Sequence, residues 1–174
     1  LSGKGNPDVK VIELYTGEVK VALEGILQAS AVGSCVAVAA YDPEAGIGGM
    51  AHVMLPGASP DNREAQRTRY AEDGIEELIR AMTALGAQPE RLAACIAGGG
   101  NILKRDDDSL CEANVSSVTR VLEERGITLH AAEVGGTERR SICLDASSGR
   151  IRYTVGDSKP RLLWEPGRAQ SNEE

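Results

Sequence analysis

A thiol and an imidazole stand seventeen residues apart in this chain, each in an apolar run. Cys35 lies in Gly33-Ser34-Cys35-Val36-Ala37-Val38, where a turn of small residues leads into a strand-length apolar segment. His52, one of only two histidines, lies in Gly48-Gly49-Met50-Ala51-His52-Val53-Met54-Leu55-Pro56. A cysteine and a histidine on neighbouring strands are the minimum pair for thiol acyl chemistry, in which the base draws off the thiol proton and sulfur becomes the nucleophile. The Gly33-Ser34 turn leaves backbone N–H groups to point at one spot, as a tetrahedral oxyanion needs. Each residue also has a plain reading. A lone cysteine serves as a small core hydrophobe, and a lone histidine on an apolar face as a satisfied core group. The pairing lifts both, because sequential strands are commonly spatial neighbours.

The elements that must position the pair are legible as alternation and periodicity. Val9 to Leu14 and Glu18 to Leu23 read as strands, with Thr16-Gly17 as the turn signal between them. Cys35 to Tyr41 and Gly46 to Leu55 are further strand-length runs, closed by Pro43 and Pro56. Tyr70, Ile75, Leu78, Ile79 and Met82 recur at helical steps, predicting a helix over 64–85 that stops at Gly86. Arg91 to Ala97 reads as a buried strand running into Gly98-Gly99-Gly100-Asn101. A second helix is expected over 110–125, then a strand over 127–134 and a hairpin of 139–144 with 150–155. The sum is one α/β domain: 1–8 as a loose leading segment, 9–158 as the domain, and 159–174 as a tail with Leu162, Leu163 and Trp164 as its docking point.

At 174 residues the chain can bury a core without staples. Its 19 Lys and Arg stand against 26 Asp and Glu, a net charge of −7, which argues against a phosphate-tracking surface and so against nucleic acid. Cys35, Cys95, Cys111 and Cys143 are scattered, with no spacing that starts a metal site and none that suggests disulfides, as expected of a reduced cytoplasmic protein. No apolar run has membrane-spanning length, so membrane insertion is not expected. Cys95 and His130 fall in buried strands and read as structural. The Gly98–Asn101 turn lacks a phosphate-loop spacing, and Asp106–Asp108 lacks that of a calcium loop.

Beyond this, the string Gly33-Ser34-Cys35-Val36-Ala37-Val38, then Tyr41-Asp42-Pro43, then Gly48–Pro56, closely resembles the CheD family of chemoreceptor glutamine deamidases. The likeness continues through Arg69-Tyr70-Ala71, Gly98-Gly99, Asn114 and Gly135-Gly136-Thr137, and covers roughly residues 9 to 155. It implies a single-domain, mixed-sheet α/β sandwich with helices packed outside, an architecture shared with toxin-type glutamine deamidases. It also implies Cys35 as nucleophile and His52 as general base, with no metal and no organic cofactor. The substrate would be glutamine side chains on the cytoplasmic domains of methyl-accepting chemoreceptors, and the regulatory partner a CheC-type chemotaxis phosphatase.

One departure bears on the site. The family carries Thr six residues before the nucleophile as an orienting third member; here that position is Ala29, with Ser30 beside it. Either Ser30 takes the role through a small backbone shift, or a backbone carbonyl does. Two alternatives stand beside deamidation. One is a weak or inactive adaptor that binds receptors or the phosphatase, favoured by Ala29. The other is a thiol-dependent receptor methyl-ester hydrolase, which would share the thioester.

Overall fold

Every residue of Val36–Asp42 and of Ile47–Val53 is buried, so these two strands need cover on both faces. The computed structural model, which describes residues 8–60 and 64–167, supplies that cover with a second sheet on one side and helices on the other. The strands are β1 (Val11–Glu13), β2 (Val19–Ala22), β3 (Ile26–Val32), β4 (Val36–Asp42), β5 (Ile47–Val53), β6 (Ala93–Gly98), β7 (Thr128–Val134), β8 (Arg140–Asp145), β9 (Ile151–Val155) and β10 (Arg161–Trp164). The helices are α1 (Glu64–Arg67), α2 (Ala71–Ala84) and α3 (Ser109–Glu124). One sheet runs β2-β5-β4-β6-β7 and the other β1-β3-β8-β9-β10.

Alternation along each strand decides what meets what. Val38, Ala51 and Val53 face Ile75, Leu78 and Met82 of α2 and Val118, Val121 and Leu122 of α3. Ala37, Ala39, Met50, Cys95 and Ala97 face the other way, against Leu27, Ala29, Ile142, Leu144 and Ile151 of the second sheet. The order is therefore helix, sheet, sheet. The expected mixed-sheet α/β sandwich is present, with α2 and α3 both on the β2–β7 sheet. The far face of the second sheet carries Gln28, Ser30, Cys143 and Arg152, all half-buried or exposed.

Three features differ from the sequence reading. The strands on either side of the Thr16-Gly17 turn are not partners: β1 pairs in parallel with β3, and β2 pairs antiparallel with β5 in the opposite sheet. The Thr16-Gly17 turn is a crossing between layers. β3 was not expected at all, because its Gln28-Ala29-Ser30-Ala31 core is small and polar and is broken by a bulge between Ala29 and Val32. The helix expected over 64–85 is interrupted at 68–70, where Leu55 and Tyr70 form an isolated bridge. Past Lys159 the chain forms β10 against β9, with Trp164 stacked at a tilt on His130. The segments 1–7 and 168–174 lie outside the described residues. Among the described residues, no helix is long and apolar enough to cross a membrane.

Candidate active site

β4 and β5 run antiparallel with Ala37 opposite His52 and Val36 opposite Val53. Cys35, two residues before Ala37, shares its face, so the thiol and the imidazole are diagonal neighbours on the face turned toward the second sheet. Both sit at the same end of the sandwich, Cys35 half-buried and His52 buried. The pair read from the sequence is thus brought together by register.

The turn that presents Cys35 is braced from behind by the triple glycine. Gly99 N–H donates to Cys35 O at 2.7 Å and Gly100 N–H to Gly33 O at 2.8 Å. Gly98 adopts φ 125°, and a Cβ there would strike the Cys35 carbonyl and the Val32 side chain. Only glycine fits that position. The Gly98–Asn101 turn therefore belongs to the scaffold of the Cys35 loop.

Asn114 fixes the opposite side of this loop. Its Nδ2 donates to Ser34 O at 2.9 Å and to Met54 O at 3.0 Å, one bond to each of the two chain segments that carry the pair. The side chain is fully buried. Its place on the inner stripe of α3, with Cys111, Val118 and Val121, was a legible sequence signal: an amide at helical step in an otherwise apolar face.

His52 is held on its other edge by the crossing between the layers. Nδ1 lies 3.3 Å from Leu14 O. A carbonyl can only accept, so Nδ1 carries the proton and Nε2 is left as the basic nitrogen. Burial pushes the His52 pKa down, against the Leu14 bond and the nearby Glu13 and Glu18, which push it up less. Burial likewise pushes the Cys35 thiol up, opposed by hydrogen bonds from the Thr16 side chain and from Cys35's own N–H. Both shifts favour the uncharged forms, thiol and neutral imidazole, at neutral pH.

Ser30 is not brought to this pair. The bulge leaves it exposed on the far face of the second sheet, where its hydroxyl accepts from Gln28 Nε2 and its N–H donates to Glu13 Oε1. Ala29 points into the layer between the sheets and carries no polar group. Of the two routes open to the third member, the structure offers a carbonyl, that of Leu14. Leu14 O could not be singled out beforehand as part of the site, since a carbonyl has no residue signature.

Beside Gly33 and Ser34 opens a groove of about 490 Å³, rimmed by the exposed Ile102, Leu103 and Leu110 with Arg105 and Arg139. Among the described residues, no cluster of side chains could hold a metal ion.

A two-sheet sandwich with a cysteine and a histidine at one sheet end, backed by a glycine turn and a buried asparagine, has clear relatives. The family model described as CheD chemotactic sensory transduction matches residues 54–154. A Chlorobium luteolum protein named probable chemoreceptor glutamine deamidase CheD is 39% identical over 155 residues, covering 88% of this chain and 77% of that one. An Archaeoglobus fulgidus protein of the same name is 34% identical, covering 80% and 91%. Among solved structures, the Bacillus licheniformis hypothetical protein YfiH aligns at a TM-score of 0.41 and 13% identity, over 75% of this chain and 61% of that one. This chain belongs to the CheD family.

Proposed function

We propose that this protein deamidates glutamine side chains on the cytoplasmic domains of chemoreceptors, with Cys35 as nucleophile and His52 as base. The observation that carries this reading is the Ala37–His52 register, which puts thiol and imidazole on one face at a sheet end. The relatives' names supply the substrate class.

The chemistry follows from the groups. Nε2 of His52 takes the Cys35 proton as sulfur attacks the carboxamide carbon. The Cys35 N–H, beside the sulfur, is placed to meet the oxyanion that develops on the carboxamide oxygen as the C–S bond forms. Protonated His52 gives its proton to the departing ammonia, leaving a glutamyl thioester. Water then attacks with neutral His52 as base, glutamate is released and the thiol is restored. Leu14 O keeps the tautomer correct throughout. No metal or organic cofactor enters the scheme.

The groove beside Gly33-Ser34, where exposed Ile102, Leu103 and Leu110 lie among Arg105, Arg139, Asp107 and Asp108, suits the docking of an amphipathic receptor helix. A CheC-type phosphatase is the expected regulatory partner on this reading, and the cytoplasm, where receptor signalling domains lie, its place of action. The test is intact-mass analysis of a receptor cytoplasmic fragment after incubation. A gain of about one mass unit per site, absent with Cys35→Ala, is the expected result. An unchanged fragment, or a gain that survives Cys35→Ala, overturns the proposal.

A further inference from the structure

Arg140 opens β8 and is buried, a cation that no step of the proposed chemistry uses. The buried positions of this strand alternate as Arg140, Ile142 and Leu144, so Arg140 ends the stripe that faces the layer between the sheets. It does so beside the Cys35 turn, since Arg140 pairs with Val32, the residue before Gly33.

Nη1 of Arg140 donates to Gly135 O at 2.6 Å and to Glu138 O at 3.1 Å, while Nε makes no hydrogen bond among the described residues. Both bonds go to main-chain carbonyls of one turn rather than to a carboxylate. A buried charge is costly unless its partners stay in place. The 135–138 turn therefore cannot open without stranding the cation, and the two are coupled.

That turn lies directly under the glycines that brace Cys35. Gly135 N–H donates to Gly98 O at 3.0 Å and Asn101 N–H to Gly136 O at 2.8 Å. A Cβ at Gly100 would lie 3.0 Å from Glu138 O, so the two turns touch there as well. Gly99 and Gly100 in turn hold the Cys35 and Gly33 carbonyls. The contacts close into a ring. It runs from Val32 to Gly33, across to Gly100 and Asn101, and on to Gly136 and Gly135. It returns through the guanidinium to Arg140 and by strand pairing to Val32. Every link is covalent or joins main chain to main chain, except the one made by the Arg140 side chain.

Resting on the thiol mechanism above, we propose that Arg140 is a positioning residue that holds the 135–138 turn against the triple glycine and so fixes the Cys35 turn. The sulfur and the N–H that meets the oxyanion keep their places through this hold. Asn114 braces the same turn from the helix side through Ser34 O, and Arg140 braces it from the second sheet. A charged donor suits the task, because its bonds to carbonyls are stronger than neutral ones. Gly135 and Gly136 both take positive φ, 79° and 69°, past the end of β7, where the regular ladder no longer fixes the chain.

The test compares Arg140→Met, which keeps the length and removes the donors, with Arg140→Lys, which keeps the charge without the planar fork. The first readout is amide hydrogen exchange by NMR on the whole chain, and it needs no receptor. Gly99, Gly100 and Asn101 report the turns; Val38 and Ala51 report the central strands. Arg140→Met is expected to speed exchange at the three turn amides about tenfold more than at the strand amides, because opening the turn no longer strands a charge. With a receptor fragment, kcat is expected to fall about tenfold while KM stays within about twofold, as loss of positioning requires. Arg140→Lys is expected to lie between the parent and Arg140→Met in both readouts. Acceleration by the same factor at both sets of amides overturns the proposal, marking a residue that serves stability alone. Unchanged exchange at the turn overturns it too, as does a loosened turn with the parent's kcat. Should Arg140→Met fail to fold, Arg140→Lys is read by itself, and parent-like exchange at the turn amides overturns the proposal. If the parent chain changes no receptor glutamine, the deamidase reading fails, and the exchange ratio alone decides whether Arg140 holds the Cys35 turn.

Discussion

Asn114 reaches from α3 to donate from one amide nitrogen to Ser34 O and Met54 O, at 2.9 and 3.0 Å. It joins the residue just before the proposed nucleophile to the residue two beyond the proposed base. Both carbonyls are met from the helix side, by a side chain that is itself fully buried. The distance between Cys35 and His52 is thus held by a side chain that touches neither.

Replacing that amide with a carboxylate removes both donors and sets an acceptor against two acceptors. Asn114→Asp is expected to cost about 2–4 kcal/mol of stability by urea unfolding, for two buried hydrogen bonds lost. At a temperature where the variant is still folded, kcat for deamidation should fall by more than tenfold. Normal kcat in a folded variant would show that the spacing is set elsewhere.

The turn behind Cys35 makes a second demand. Gly98→Ala places a methyl group against the Cys35 carbonyl at a backbone angle that L residues avoid. Since the obstruction is backbone, it cannot rotate away, and a loss of about 3 kcal/mol or more is expected. Circular dichroism melts would read the loss of stability. Cys35 alkylation in the surviving folded fraction would read the displaced sulfur, and a profile identical to the parent's would refute the bracing role.

His52 carries a pH signature. Its folded pKa lies below the unfolded value, so between the two the unfolded chain binds more protons and stability rises with pH. The burial of neutral His52 is therefore without penalty above about pH 6.5 and becomes a growing liability as pH falls through its depressed folded value. His52→Gln should remove this part of the acid sensitivity. Unfolding midpoints at pH 5 and pH 7 should differ less in the variant than in the parent; an equal difference would mean that His52 does not titrate as its burial requires.

Asp42 tests the other end of β4. It is fully buried and accepts from the N–H groups of Glu44, Ala45 and Gln88 and from the Arg91 guanidinium. Burial works to raise its pKa, but those bonds prevail and lower it, so its stabilisation is complete above the ordinary carboxylate range and lost on acidification below it. Asp42→Ala is expected to cost about 3–5 kcal/mol, because Arg91 and three amides lose their acceptor. Being at the far end of the strand from Cys35, it should leave kcat of the folded enzyme within about twofold. A large fall in kcat would tie that end of the sheet to the chemistry.

The neighbourhood of Cys35 and His52, the strands carrying them and the two main helices were legible from residue type and period. Cys35 and His52 each lie in an unbroken apolar run, and runs of seven residues buried on both faces read as central strands whatever surrounds them. α3 even displayed Asn114 as a polar member of its apolar stripe. β3 escaped notice because small residues and a bulge erase the alternation on which a strand is recognised, and with it went the true placement of Ser30. The separation of β1 and β2 into different sheets was also invisible, since Thr16-Gly17 carries the same turn chemistry whether the chain doubles back or crosses over. What tertiary structure alone decided is the surroundings of the pair: the Leu14 carbonyl on His52, the Asn114 amide bridging the two segments, and the glycine turn behind Cys35. Residue identity tells what a group can donate or accept. Which group it meets depends on register and on the crossing of layers, where backbone atoms, identical at every residue, take part in the contacts.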